Sequence, residues 1–251
     1  MASPKKRLDA ALVEAGFFDS IEKATRNVMA GLVFVNGHPS SKPGFSVTGD
    51  DVLSLAKKEK YVGRGGHKIE AALSHFGINP AGLVCIDVGA STGGFTDCLL
   101  QQGASFVYAV DVGHNQFDWR LRQDPRVDCR EGINARFLEW SDFERQPELA
   151  VGDVSFISLT MILPAVFRIL PPGADAVFLI KPQFEALRNE VGVGGIVRDE
   201  GVRKSCLQKI QNFVLESGHE WLGVMESPIK GRDGNIEYLA HIRTAPNVSK
   251  N

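Results

Sequence analysis

From residue 83 onward the chain alternates short apolar runs with stretches of helical periodicity. Residues 84–87, 106–111, 127–130, 149–153, 176–181, 221–226 and 237–243 read as strands. The first, Leu83-Val84-Cys85-Ile86, is an unbroken apolar run, as expected of a strand buried on both faces of a parallel sheet, and Asp87 marks its carboxyl end. Beyond it Phe95, Cys98 and Leu99 recur at helical spacing, and before it Ile69, Ala72, Leu73 and Phe76 share one face of a helix over 68–76. Helices between strands imply right-handed crossovers and a doubly wound α/β sheet. Ligands of such sheets bind outside the carboxyl ends of the strands, where Asp87, Asp111, Asp153 and Lys181 fall.

The first fifth of the chain has a different pattern. Leu8, Ala11, Leu12 and Ala15 repeat at helical spacing before Gly16. Asp19 with Glu22 resembles a capping box, and Ile21, Ala24, Val28 and Met29 make the stripe of a second helix that Gly31 ends. Residues 32–35 read as a strand running into the hairpin turn Asn36-Gly37, and Val52, Leu53 and Leu55 as a last short strand. This predicts a small α+β module. Residues 57–66, charged and then glycine-rich, read as a linker or hinge, dividing the chain into residues 1–60 and 61–251.

Composition narrows the function classes. No apolar run approaches the roughly 18 residues that cross a bilayer, and nothing hydrophobic follows Lys5-Lys6-Arg7, so a cytoplasmic protein without membrane insertion is expected. Cys85, Cys98, Cys129 and Cys206 form no CxxC pair and the six histidines show no ligand spacing, so neither a disulfide framework nor a metal is expected. The net charge of −2 is unevenly spread, with +2 over residues 1–60 and −4 beyond. Lys5, Lys6, Arg7, Lys57, Lys58, Lys60, Arg64, His67 and Lys68 carry the basic bias. Such a cluster is by itself weak evidence for nucleic acid.

The loop Gly89-Ala90-Ser91-Thr92-Gly93-Gly94 is neither a GxGxxG dinucleotide fingerprint nor a Walker loop. Asp111 ends the next strand, where an acid accepts hydrogen bonds from a ribose diol. With Asp87 at the loop's entry, the set suits a nucleoside with an amino-acid tail, S-adenosylmethionine, bound by Asp87, Gly89, Ala90, Ser91, Thr92, Gly93, Gly94, Phe95, Asp111 and Asp153. Glu131 and Asn134, after the third strand, are further cofactor contacts by position; Asp142 reads as a cap of a short turn. Lys68 and Lys181 are unusual near strand ends in an acidic domain. Lys181 follows Val177-Phe178-Leu179-Ile180 and precedes Pro182, which predicts partial burial, and desolvation beside a second cation lets a lysine act as a base.

Two resemblances sharpen this. Arg7-Leu8-Asp9, Ala15-Gly16, Ser20, Ala24, Gly31, Val33 and Val35-Asn36-Gly37 resemble the RNA-binding module shared by the fourth small-subunit ribosomal protein, pseudouridine synthases and tyrosyl-tRNA synthetases. That likeness implies an RNA surface of Lys5, Lys6, Arg7, Lys23, Arg26 and Asn27. Tyr61-Val62-x-Arg64-Gly65-Gly66-x-Lys68, the segment from Asp87 to Asp97, Asp153-Val154-Ser155-Phe156-Ile157-Ser158-Leu159 and Lys181-Pro182-Gln183-Phe184-Glu185 closely resemble the TlyA family, as does Gly194-Gly195-Ile196-Val197-Arg198-Asp199. The resemblance implies a Rossmann-like, S-adenosylmethionine-dependent rRNA 2'-O-methyltransferase related to FtsJ, acting on a cytidine.

In that family the catalytic pattern is Lys-Asp-Lys-Glu, which Lys68, Asp153, Lys181 and Glu237 match in order. The implied roles are Lys181 as base or as the cation stabilising the alkoxide, Asp153 orienting it, Lys68 holding the substrate, and Glu237 fixing a lysine. Arg64 and Lys68 would touch RNA, and Gly192, Gly194, Gly195 and Arg198 would form a mobile loop over it. The N-terminus is shorter than in the family's larger form, which favours the large ribosomal subunit as partner. A non-catalytic assembly factor and a pore-forming haemolysin are the rival classes; the full tetrad argues against the first, and the lack of a lytic segment against the second. Asp153-Val154-Ser155-Phe156 also lacks the prolines of base methyltransferases acting on exocyclic amines.

Overall fold

The computed structural model describes residues 4–56, 59–231 and 234–245; Lys57 and Lys58 of the basic run lie outside the described residues. The chain forms two compact units, Met1–Glu59 and Lys60–Asn251. In the first, strand β1 (Lys6–Arg7) leads into α1 (Leu8–Glu14) and α2 (Ile21–Met29), followed by β2 (Val33–Val35), β3 (His38–Ser40), β4 (Ser46–Val47) and β5 (Leu53–Leu55). β3 and β5 flank β2, and β1 pairs with β4. Leu8, Leu12, Ala24, Val28, Val33, Val35 and Val47 form the core; the middles of the helical stripes read from the sequence are buried, whereas Ala15, Ile21 and Met29, at the helix ends, are exposed. The start of α2 departs by one residue: Ser20, not Asp19, is the N-cap, its hydroxyl accepting from the Lys23 amide at 3.3 Å. Asp19 instead pairs with the Lys23 side chain at 2.6 Å.

The second unit runs through α3 (Gly65–Phe76), β6 (Val84–Val88), α4 (Gly94–Gln101), β7 (Phe106–Asp111), α5 (Trp119–Arg122), β8 (Val127–Glu131), β9 (Leu149–Gly152), α6 (Leu163–Ile169), β10 (Asp175–Ile180), α7 (Pro182–Glu185), α8 (Glu200–Glu216), β11 (Glu220–Glu226) and β12 (Tyr238–Arg243). Its seven-stranded sheet has the order β11-β12-β10-β9-β6-β7-β8. Neighbours from β8 to β10 are parallel, whereas β12 runs antiparallel to both β10 and β11. This is a Rossmann-like sheet with a reversed strand near one edge. Side chains alternate between two cores: Ile86, Val88, Tyr108 and Val110 enter one, Cys85, Val107 and Ala109 the other. A strand so placed has to be apolar throughout, which is why these runs were legible.

The glycine-rich end of the expected linker is packed structure. Tyr61 is buried, the Val62 amide donates to Asp97 Oδ2 at 2.8 Å, and Gln101 Nε2 donates to the Lys60 carbonyl at 2.9 Å. A Cβ on Gly66 would meet the Tyr61 ring at 2.2 Å, and one on Gly63 would meet Thr92 Oγ1 at 2.6 Å. These glycines allow close approach rather than hinge motion. Gly66→Ala is therefore expected to destabilise the protein by about 1–3 kcal/mol, the range for overpacking, lowering the midpoint of thermal unfolding. An unchanged midpoint would mean that this segment yields freely.

Candidate active site

The site forms at the carboxyl edge of the sheet, between β6 and β9, where the strand order reverses. After β6 the chain turns at Gly89, with φ of +84°, and a Cβ there would lie 2.8 Å from the Asp153 carbonyl oxygen. Only glycine fits that conformation and that approach. Ser91, at φ +50°, donates its amide to Asp111 Oδ2 at 2.7 Å, while Asp111 Oδ1 accepts from the Gly113 amide at 2.7 Å. Asp111 thus ties the turn after β6 to the turn after β7.

A groove of about 440 Å³ opens on this side, lined by Gly89, Ser91, Asp111, Asn134 and the apolar Val112, Ile133, Ala135 and Ile162, among others. A larger cavity of about 720 Å³ adjoins it. Both are of the size that small-molecule sites occupy, roughly 300–1,000 Å³. They share Gly89, Ser91, Asp153, Ser155 and Phe156 as walls. Thr92, Gly94 and Phe95 line only the larger one.

Lys68, Asp153, Lys181 and Glu237 all line the larger cavity and meet in a chain of alternating charge. Glu237 Oε2 lies 2.6 Å from Lys68 Nζ, Lys68 Nζ lies 3.8 Å from Asp153 Oδ2, and Asp153 Oδ1 lies 2.6 Å from Lys181 Nζ. Lys181 Nζ also donates to Ser155 Oγ at 2.7 Å. Lys68 and Glu237 are 8% and 2% exposed, so each needs the other. Each member comes from a different element: Lys68 from α3, Asp153 and Lys181 from the ends of β9 and β10, Glu237 from the entry to β12.

Other residues singled out in the sequence are placed unevenly. Asp87 is wholly buried and lines neither cavity; its Oδ2 accepts from the Thr96 amide and hydroxyl at 3.0 and 2.7 Å, and its Oδ1 has no partner among the described residues. It holds the start of α4 from behind. Gly93 likewise faces inward, where a Cβ would meet Leu121 at 2.5 Å. Glu131 lines neither cavity, and its carboxylate is engaged by Arg122 at 3.0 Å, which holds its pKa down at about 2. Asp142 does cap a turn, accepting from the Glu139 amide at 2.7 Å.

The loop of Gly192, Gly194, Gly195 and Arg198 is tied down: Asn235 donates to the Gly195 carbonyl at 2.9 Å and accepts from the Val197 amide at 3.1 Å. Asn235 escaped notice because nothing in its spacing links it to residue 195. Lys230, Gln183 and the aromatic pair Phe156 and Phe184, with centroids 5.0 Å apart, also line the cavity. Phe156 is 88% exposed and sits at φ +62°, a rare conformation for a bulky side chain. Among the described residues, Lys230 and Arg64 have no carboxylate partner, and no group of three His, Cys, Asp or Glu side chains is placed to hold a metal.

Burial raises the Asp87 carboxyl to about pH 7, with the Thr96 hydrogen bonds opposing the shift. Unfolded, it would ionise near the ordinary 3.8. The folded state therefore keeps a proton that the unfolded state loses, and this residue's contribution to stability falls as pH rises from about 4 to about 7. The thermal midpoint of the wild type relative to Asp87→Asn is expected to drop between pH 5 and pH 8; a constant difference would contradict this.

The comparisons with known proteins agree with this geometry. Residues 61–244 match the FtsJ-like methyltransferase family and residues 6–53 the S4 domain. A Brachyspira hyodysenteriae protein named hemolysin A is 44% identical over 94% of this chain and 98% of its own. A Mycobacterium tuberculosis protein named 16S/23S rRNA (cytidine-2'-O)-methyltransferase TlyA is 41% identical over 96% of this chain and 90% of its own. A solved chain from Streptococcus thermophilus, 46% identical, superposes with a TM-score of 0.74 over 99% of this chain and 93% of that one. S-adenosylmethionine fits the residues present: Asp111 faces the groove as an acceptor for a ribose diol, Val112, Ile133, Ala135 and Ile162 give apolar walls beside the polar Gln116, Asn134 and Arg136, and the backbone at Gly89 leaves room for close approach. Sheet order, glycine loop, converging tetrad and sequence identity together show that this chain belongs to the TlyA group of the FtsJ-like methyltransferase family.

Proposed function

We propose that this protein transfers the methyl group of S-adenosylmethionine to the 2'-hydroxyl of a cytidine in ribosomal RNA, with the large subunit as its particle and the cytoplasm as its place of action. The observation that carries the reading is the meeting of Lys68, Asp153, Lys181 and Glu237 beside the groove suited to the cofactor. When bound, the cofactor supplies an electrophilic methyl on a sulfonium. The chain's own task is then to present a weak nucleophile and take its proton. Lys181 accepts the proton of the 2'-hydroxyl, Asp153 holds Lys181, Lys68 contacts the substrate ribose or phosphate, and Glu237 fixes Lys68. Phe156 and Phe184, tilted by 48° to one another, offer aromatic rings at the cavity against which an unstacked base can rest.

Beyond the tetrad, whose charges cancel, the cavity lining among the described residues carries two further cations, Arg64 and Lys230, and no further acid. This matches the phosphates that flank a target nucleotide. In the S4 unit Lys5 and Arg26 are exposed, while Lys6, Arg7 and Lys23 rest on Glu14, Asp9 and Asp19. We assign these basic residues to phosphate contacts that position the RNA without reading its sequence.

Purified protein given radiolabelled S-adenosylmethionine and isolated ribosomal subunits is expected to label a ribose of the large subunit, and Lys181→Ala to lose at least 100-fold in rate, roughly the contribution of general base catalysis. Label on a base, or full activity in Lys181→Ala, would overturn the reading. Lys230→Gln and Arg64→Gln should each weaken RNA binding and reduce the slope of log affinity against log salt by roughly 0.7. Binding of S-adenosylhomocysteine, measured by calorimetry, should be unchanged in both variants; an unaltered salt slope would remove these residues from the phosphate contacts.

A further inference from the structure

Ser155 lies outside the tetrad but touches its terminal lysine. Its hydroxyl oxygen accepts a hydrogen bond from Lys181 Nζ at 2.7 Å, whereas Asp153 Oδ1, 2.6 Å from Nζ, is an ion-pair contact that accepts no hydrogen bond. It also stands in the wall shared by the two cavities, so the lysine is held where the groove and the larger cavity meet. The Phe184 ring centroid is 5.8 Å from Nζ and offers a cation–π contact but no hydrogen-bonding group.

A lysine nitrogen has three positions about its bond to Cε. In the neutral amine two are N–H groups and one is the lone pair; in the ammonium all three are N–H groups. With Asp153 beside it only as a counter-charge, no N–H is directed and the lone pair is free among all three positions. A hydrogen-bond acceptor narrows that freedom. Ser155 then holds one N–H, and the lone pair is kept out of that direction.

We propose that Ser155 is a positioning residue for methyl transfer, restricting the direction of the Lys181 lone pair by accepting one of its N–H groups. This inference rests on the reading of Lys181 as the base that receives the ribose 2'-hydroxyl proton. In the step itself the hydroxyl O–H bond breaks and the proton passes to Nζ, while the oxygen's electron pair forms the bond to the methyl carbon and the sulfonium leaves with its former bonding pair. The new ammonium keeps Ser155 as acceptor and Asp153 as counter-ion, so no side chain has to rearrange during the transfer. Serine suits the place because its oxygen accepts from the amine and from the ammonium alike, and it adds no charge to a site already balanced between two lysines and two carboxylates.

The test is steady-state methylation of isolated large ribosomal subunits by Ser155→Ala, Ser155→Thr and Lys181→Ala. Ser155→Ala is expected to lower kcat about 10-fold to 100-fold while KM for both substrates and the calorimetric affinity for S-adenosylhomocysteine stay within about two-fold. Ser155→Thr, which restores a hydroxyl, should recover kcat to within about three-fold of the wild type. A loss of kcat not rescued by threonine, or a rise in KM without loss of kcat, overturns the inference, as does wild-type kcat in Ser155→Ala. If Lys181→Ala is inactive and Ser155→Ala is not impaired, only the role of Ser155 falls; if Lys181→Ala retains full activity, the reading of Lys181 as base falls with it.

Discussion

Two ammonium groups and two carboxylates share one small volume at the edge of this sheet, and Asp153 holds them together. Its two oxygens face different lysines, Oδ1 toward Lys181 and Oδ2 toward Lys68. Without it the lysines would repel one another across the cavity. Glu237, almost wholly buried, completes the alternation by neutralising Lys68. A buried charge is tolerable only with a partner, and removing one partner from such a pair typically costs about 3–5 kcal/mol. The arrangement is therefore held as a unit: each charge depends on its neighbour, and the chain of charges ends at Lys181, where an uncharged serine is the remaining contact.

The backbone that carries these groups is shaped by close approach. Gly89 brings the loop after β6 against the Asp153 carbonyl, and Gly63 and Gly66 let the segment before α3 press on Thr92 and Tyr61. The same packing sets α3 and thereby Lys68 beside the strand ends. Asp87 and Gly93 serve from inside, holding α4 and the turn before it rather than facing a ligand. Asp111 combines both tasks, since each of its oxygens accepts a backbone amide while the residue lines the groove.

Much of this was legible along the chain. The buried strands of a mostly parallel sheet have to be apolar throughout, so their runs stand out, and acids or lysines that end them mark the ligand edge. Helical stripes, the Asn36-Gly37 turn and the glycine loop are local signals with local causes. The misreadings were local ambiguities that packing resolves. A glycine permits a hinge or a tight contact equally well, and the pattern over residues 61–66 does not say which. Asp19 and Ser20 are both able N-caps, and the ion pair of Asp19 with Lys23 leaves the role to serine. Asn235 and Lys230 gave no signal because their partners lie far off in sequence.

The sequence by itself determined the strands of the larger sheet, the two modules, the candidate cofactor loop and, through the family pattern, four candidate site residues, because each rests on periodicity, composition or motif. Tertiary structure decided their convergence. Asp153 and Lys181 follow strands of one direction, but Glu237 precedes its strand, and in an all-parallel sheet it would lie at the opposite edge. β12 runs antiparallel to β10, and that reversal brings the start of one strand beside the ends of the others. Strand direction depends on which hydrogen-bonding edges meet, a non-local choice that no window of residues encodes.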